Sequence, residues 1–102
     1  MKYGKRDDNH AEIVATLRRV PGCRVHDTAD MGGGFPDLVV GFMGVIRLLE
    51  VKDGSLPPSA RKLTADEKKF HKSWAALPVH VVNNVDEALT AIGLDVGAVP
   101  PF

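Results

Sequence analysis

Cysteine is almost absent: Cys23 is the only one in 102 residues. No internal disulfide can form, and no thiolate cluster can hold a structural zinc. The four histidines, His10, His26, His71 and His80, lie too far apart for a short zinc motif. No apolar run approaches the ~20 residues that a membrane-spanning helix needs. The opening MKYGKRDDNH is charged and lacks the apolar core of a secretory signal. An excess of one charge is missing too: 13 Lys and Arg balance 13 Asp and Glu, so no global field marks the chain for nucleic acid. Any such footprint is local. These absences lead us to expect an intracellular, cytoplasmic chain with no membrane partner. Its 44% hydrophobic and 25% charged residues suit one globular domain over 1–102, with a core over about 9–92.

The patterning divides that domain into short elements. Asn9 opens a helix from about His10 to Val20, with Ile13, Leu17 and Val20 as its buried stripe, and Pro21-Gly22 stops it. Arg24 to Thr28 reads as a strand. After the glycine-rich MGGGF come two stronger strands, Asp37 to Gly41 and Val45 to Lys52, joined by a tight turn at Met43-Gly44. The segment DGSLPPSARK is too rich in Pro, Gly and Ser for helix or strand. Thr64-Ala-Asp-Glu67 is a capping box that starts a helix to about Ala76, with Phe70, Trp74 and Leu77 as a core stripe. Residues 79–82, VHVV, form a strand, and Asn84 and Glu87 start a last helix that Gly93 ends. The tail LDVGAVPPF carries no assignment. The resulting αβββαβ order is α/β, a mixed four-stranded sheet flanked by helices.

Two strands of this hairpin end in charge, which raises the question of where the charges meet. Strand side chains alternate between faces, so Glu50 and Lys52 share one face with Ile46 and Leu48. A two-residue turn at Met43-Gly44 places Asp37 opposite Glu50, with Cβ atoms ~5 Å apart. A four-residue turn leaves them diagonal on one face, and a three-residue turn separates them. Two carboxylates so close repel unless a cation lies between them, and hard oxygen ligands suit Mg²⁺ or Mn²⁺. A water acidified by such an ion and held by Lys52 is a nucleophile for a phosphodiester. Taken alone, Asp37 also reads as a turn residue, and Glu50 with Lys52 as a salt bridge at a strand end.

Pro36-Asp37 followed by Glu50-Val51-Lys52 across one hairpin resembles the PD-(D/E)XK nuclease superfamily, with its restriction-endonuclease-like αβββαβ core. More narrowly, GGGFPDLVVGFMGVIRLLEVKDG with LTADEKKFHKSWAALPVHVVNNVDEAL resembles a stand-alone VRR-NUC domain of the small phage and bacterial type. The resemblance implies that Asp37, Glu50 and the Val51 carbonyl hold the metal and that Lys52 is catalytic. It makes Glu12 a further metal contact, although Glu12 three residues after Asn9 equally reads as a capping box. It implies a homodimeric endonuclease acting on branched, Holliday-junction-like DNA. A nuclease-like DNA-binding subunit that no longer cuts is the alternative, against which both acids and the lysine are present.

Lys62, Lys68, Lys69, His71 and Lys72 are candidate phosphate contacts, although the same run also reads as a solvated helix face. Lys2, Lys5 and Arg6 form a weaker basic group. The family often has glutamine where this chain has Glu67. Gly32 to Gly34 fit either a close DNA backbone or a sharp turn, and no Gly-Lys-Ser/Thr follows to make them a P-loop.

Overall fold

A computed structural model of the chain describes residues 9–94. The basic group at residues 2–6 and all but Leu94 of the tail lie outside them. The elements are α1 (His10–Arg19), β1 (Arg24–Asp27), β2 (Leu38–Phe42), β3 (Val45–Val51), α2 (Ala65–Ser73), β4 (Val79–Val82) and α3 (Val85–Ala91). The sheet order is β1-β2-β3-β4, antiparallel except for the parallel β3–β4 pair. This is the expected α/β class and αβββαβ order. Among the described residues no helix is long and apolar enough to cross a membrane.

The core lies between one sheet face and the helices α1 and α3. Alternation sends Leu38 and Val40 of β2 and Leu49 and Val51 of β3 to that face, where they meet Ile13, Val14 and Leu17 of α1 and Ala88 and Ile92 at α3. Each fully buried Leu or Ile contributes roughly 1.5–3 kcal/mol. Phe42 pairs with Val45, so the β2–β3 turn is the two-residue kind. Both turn residues have positive φ, Met43 at 53° and Gly44 at 77°, which matches the right-handed twist of the strands.

The structure corrects several expectations. α2 ends at Ser73 rather than Ala76: Trp74 leaves helical backbone (φ −106°, ψ 30°), and the Leu77 amide closes a tight turn onto the Trp74 carbonyl just before Pro78. No residue of α2 is buried, and Trp74 and Leu77 are 39% and 62% exposed, so the expected core stripe is not core. Phe70 instead sits edge-on to Phe35 at 5.2 Å and stacks on Trp74 at 5.0 Å. Pro58–Arg61, inside the segment read as irregular, makes one 3-10 turn. The Asn9–Glu12 capping box does not form: Asn9 is in helical backbone and its side chain caps nothing. The Thr64–Glu67 box does form, with bonds in both directions.

Candidate active site

Pro36-Asp37 precedes β2, and Thr28 fixes it with two bonds. The Thr28 amide donates to the Asp37 carbonyl (2.8 Å) and its hydroxyl to the Pro36 carbonyl (2.7 Å), extending the β1–β2 pairing past its last bridge. Leu38 pairs with Leu49, so the next step outward sets Asp37 against Glu50, on the face away from the core. The Asp37 Oδ2 atom accepts the Val51 amide at 2.8 Å. Lys52 Nζ reaches the Glu50 carboxylate at 3.9 Å. The register thus brings Asp37, Glu50, Val51 and Lys52 together, as the two-residue turn requires.

Glu50 is 2% exposed, and its Oε1 is enclosed with no hydrogen-bond partner among the described residues. Burial, then the Asp37 charge, then hydrogen bonds to Glu67 and Asp37 push its carboxyl up to about 10. A carboxylic acid therefore stands where a buried carboxylate would crowd the charges of Asp37 and Glu67.

Glu67 completes the cluster from the first turn of α2. Its Oε1 accepts from Lys52 Nζ (2.9 Å) and from the Thr64 amide (2.8 Å). Burial raises the Glu67 carboxyl, but hydrogen bonds from Glu50, Lys52 and Thr64 outweigh it and leave the group below the ordinary carboxylate range. The capping glutamate of one helix is thereby the anchor of the lysine at the end of β3.

The strand end itself is braced from behind. The Asn9 side-chain Nδ2 donates to the carbonyls of Lys52 (3.0 Å) and Asn83 (2.9 Å), and the backbone amides of Lys52 and Gly54 donate to the carbonyls of Val82 and Asn83. Asp53 closes the following loop by accepting the amide and hydroxyl of Ser55. The His10 ring meets Asp27 at 2.9 Å and ties α1 to β1. The glycine loop serves α2: a Cβ on Gly34, whose φ is +81°, would overlap the Asp66 carbonyl. Its role here is therefore close packing against a helix.

Glu12 is exposed and joins neither a capping box nor the carboxylate cluster's hydrogen bonds. Lys62, Lys68, Lys69 and Lys72 are exposed; His71 is half-buried with its Nε2 enclosed, which keeps that nitrogen from an external phosphate. Reading the sequence missed Glu67, Asn9 and Thr28 as parts of this arrangement. Only Glu67 carried a signal, a capping glutamate on the helix that follows the strand. Asn9 looked like an ordinary helix cap.

The fit to a divalent cation can be judged from the donor set. Among the described residues no group of three or more His, Cys, Asp or Glu is gathered to hold a metal by itself. Two carboxylates, one with an unpartnered buried oxygen, and an adjacent backbone carbonyl still suit Mg²⁺, which keeps most of its waters and takes one or two carboxylates. Comparison of the chain with protein-family models, curated proteins and solved structures returned no match.

Proposed function

We propose that the chain is a metal-dependent DNA endonuclease of the PD-(D/E)XK superfamily and VRR-NUC type, acting as a homodimer on branched DNA and leaving a 5′-phosphate. The observation that carries this reading is the convergence of Asp37, Lys52 and a buried Glu50, whose Oε1 has no hydrogen-bond partner among the described residues, on one sheet face. Burying an ionised carboxylate costs several kcal/mol unless a cation compensates, and strongly shifted acids gather at functional sites. Asp37, Glu50 and the Val51 carbonyl would hold Mg²⁺ or Mn²⁺, which supplies, when bound, the charge that acidifies water and offsets the growing charge on a phosphate.

The chain's own groups do the rest. Asp37 accepts the Val51 amide, which ties the ligand carboxylate to the backbone of the residue whose carbonyl is the third ligand. Lys52 supplies positive charge beside the scissile phosphate, and Glu67 fixes where that ammonium stands. Lys62, Lys68, Lys69 and Lys72 offset DNA backbone charge along the α2 side. His71 contributes less than its position in the sequence suggests.

The test is incubation of wild type, Asp37→Asn and Lys52→Ala with plasmid, linear and four-way-junction DNA, with Mg²⁺, Mn²⁺ or EDTA. Wild type should cut only with metal, prefer the junction, and lose at least roughly 10²-fold in rate with either substitution. Cutting in EDTA, or cutting that survives both substitutions, rejects the proposal.

A further inference from the structure

β4 begins at Val79, level with Leu48, so the first three residues of β3, Val45–Arg47, have no described strand on that side. The turn from Trp74 to Pro78 borders a groove there of about 460 Å³. Among the described residues its walls are Val45, Ile46, Leu48, Trp74, Leu77 and Pro78, with Arg47 and His80 the only polar side chains. Arg47 is turned away toward α3, where it donates to the Ile92 carbonyl at 3.0 Å. The groove runs into the outer edge of β4. That edge carries Val79, His80, Val81 and Val82, whereas the opposite edge, β1, carries Arg24 and Asp27.

We propose that this groove and the β4 edge form a two-fold interface with a second copy of this chain. Exposed sheet edges are normally blunted by charge, and β4 has no Lys, Arg, Asp or Glu to do so. The apolar area is also of the right size. Ile46 (74% exposed), Leu77 (62%), Val45 (44%), Val81 (41%) and Trp74 (39%) together leave open about two and a half whole side chains. At about 200 Å² each that is roughly 500 Å², before Leu48, Pro78 and Val79 are counted. A standard interface takes about 800 Å² from each partner, a little over half of it apolar, so roughly 450–500 Å² is required.

Charge selects the occupant. Among the described residues the groove holds no acid and no free basic group, and the charges beside the β4 edge are the acids Asp86 and Glu87, so the surface offers nothing to a polyanion, and interface centres are depleted in charge. The chain's formal net charge is +0 at pH 7, so two copies meet without mutual repulsion. A strand edge is self-complementary in the antiparallel sense, which an isologous two-fold contact needs. Trp74, stacked on Phe70 and still open on its rim, is the anchor such a centre uses. Val45 and Glu50 are five residues apart on β3, ~16 Å along the strand, so the partner leaves the carboxylate cluster open.

The interface deepens the two-copy part of the function proposed above but rests on this surface alone. Its test reads mass rather than DNA cleavage: folded groove variants that stay dimeric overturn this inference alone, whereas a monomeric wild type that still cuts also removes the homodimer from the proposed function and leaves the nuclease reading standing. Sedimentation velocity over about 1–100 µM should give a two-chain species for the wild type. Ile46→Glu and Leu77→Glu, made separately at exposed positions and shown folded by circular dichroism, should each weaken association by at least ~30-fold. Arg24→Glu on the opposite edge should leave it unchanged. Amide exchange across residues 77–82 should slow in the wild type as concentration rises. A wild type that stays monomeric at the highest concentration, folded groove variants that remain dimeric, or dissociation caused by Arg24→Glu overturns the interface. So does dissociation on deleting residues 95–102 with both groove variants still paired, which would give the contact to that segment.

Discussion

Burial beside Asp37 and Glu67 keeps Glu50 protonated far above the pH at which an unfolded chain ionises it, with a folded value of about 10 against an ordinary 4.5. The native state therefore binds more protons than the unfolded one between those limits. The stability that a neutral Glu50 contributes is fully present below about pH 4.5 and is lost as pH rises toward 10. Glu67 has the opposite sign: its lowered folded value contributes stability above the ordinary range, lost as pH falls through it, so the two windows do not overlap. In EDTA, Glu50→Gln should flatten the pH dependence that Glu50 imposes, by up to ~1.4 kcal/mol per pH unit, and should gain on wild type steadily from pH 5.5 to pH 8.5. Urea unfolding of both proteins at pH 5.5, 7 and 8.5 decides this; parallel curves would refute a buried, protonated Glu50. The meeting of Asp37, Glu50 and Lys52 is legible in the sequence, because strand alternation and a two-residue turn are local rules that fix which side chains share a face. The roles of Asn9 and Thr28 are not, since their bonds run to carbonyls brought near only by the tertiary fold.

Among the elements, α2 is the one least held by a core. No residue of it is buried; its attachments include the Phe35–Phe70 edge contact, the bonds of Glu67 to Lys52 and Glu50 and the fit of Gly34 under the Asp66 carbonyl. Its capping box can be read from four letters, because a cap is local. Its packing cannot, because a Phe-Trp-Leu stripe at helical spacing looks the same whether it meets a core or only its own neighbours. The glycine run is ambiguous for a related reason: whether a glycine admits DNA or a helix depends on what the fold sets against it. Gly34→Ala should therefore act at a distance. It forces a Cβ into Asp66 and an alanine into φ +81°, and should cost ~1–3 kcal/mol while pushing α2 outward. Because α2 carries Glu67, the Lys52 ammonium should lose its anchor, and any metal-dependent cutting should fall further than in Gly33→Ala, where a Cβ meets open space. Equal effects of the two substitutions on cutting and on urea midpoint would show that the loop does not position the helix.

Taken as a whole, the molecule gathers its loose ends at the carboxylate cluster. Asn9 at the start of α1, Thr28 after β1, Asp37 before β2, Val51 and Lys52 at the end of β3, Asn83 after β4 and Glu67 on α2 are linked through hydrogen bonds there. A cation taken up by Asp37 and Glu50 would thus brace nearly every element at once, and it binds only the folded chain. Such binding stabilises by mass action, about 2.7 kcal/mol at a hundredfold excess over Kd, which in a domain of this size raises the melting temperature on the order of 10 °C. It must also displace the Glu50 proton, since a carboxylate and not an acid is the ligand. Below the raised value each pH unit should therefore improve affinity about tenfold, so a fixed Mn²⁺ concentration should shift the melting temperature several degrees more at pH 8.5 than at pH 6.5. Asp37→Asn should remove the shift at both pH values, and Lys52→Ala should retain it, because loss of a nearby positive charge does not remove a ligand. A shift that is the same at both pH values, or that persists in Asp37→Asn, would mean that the cation binds elsewhere on the chain.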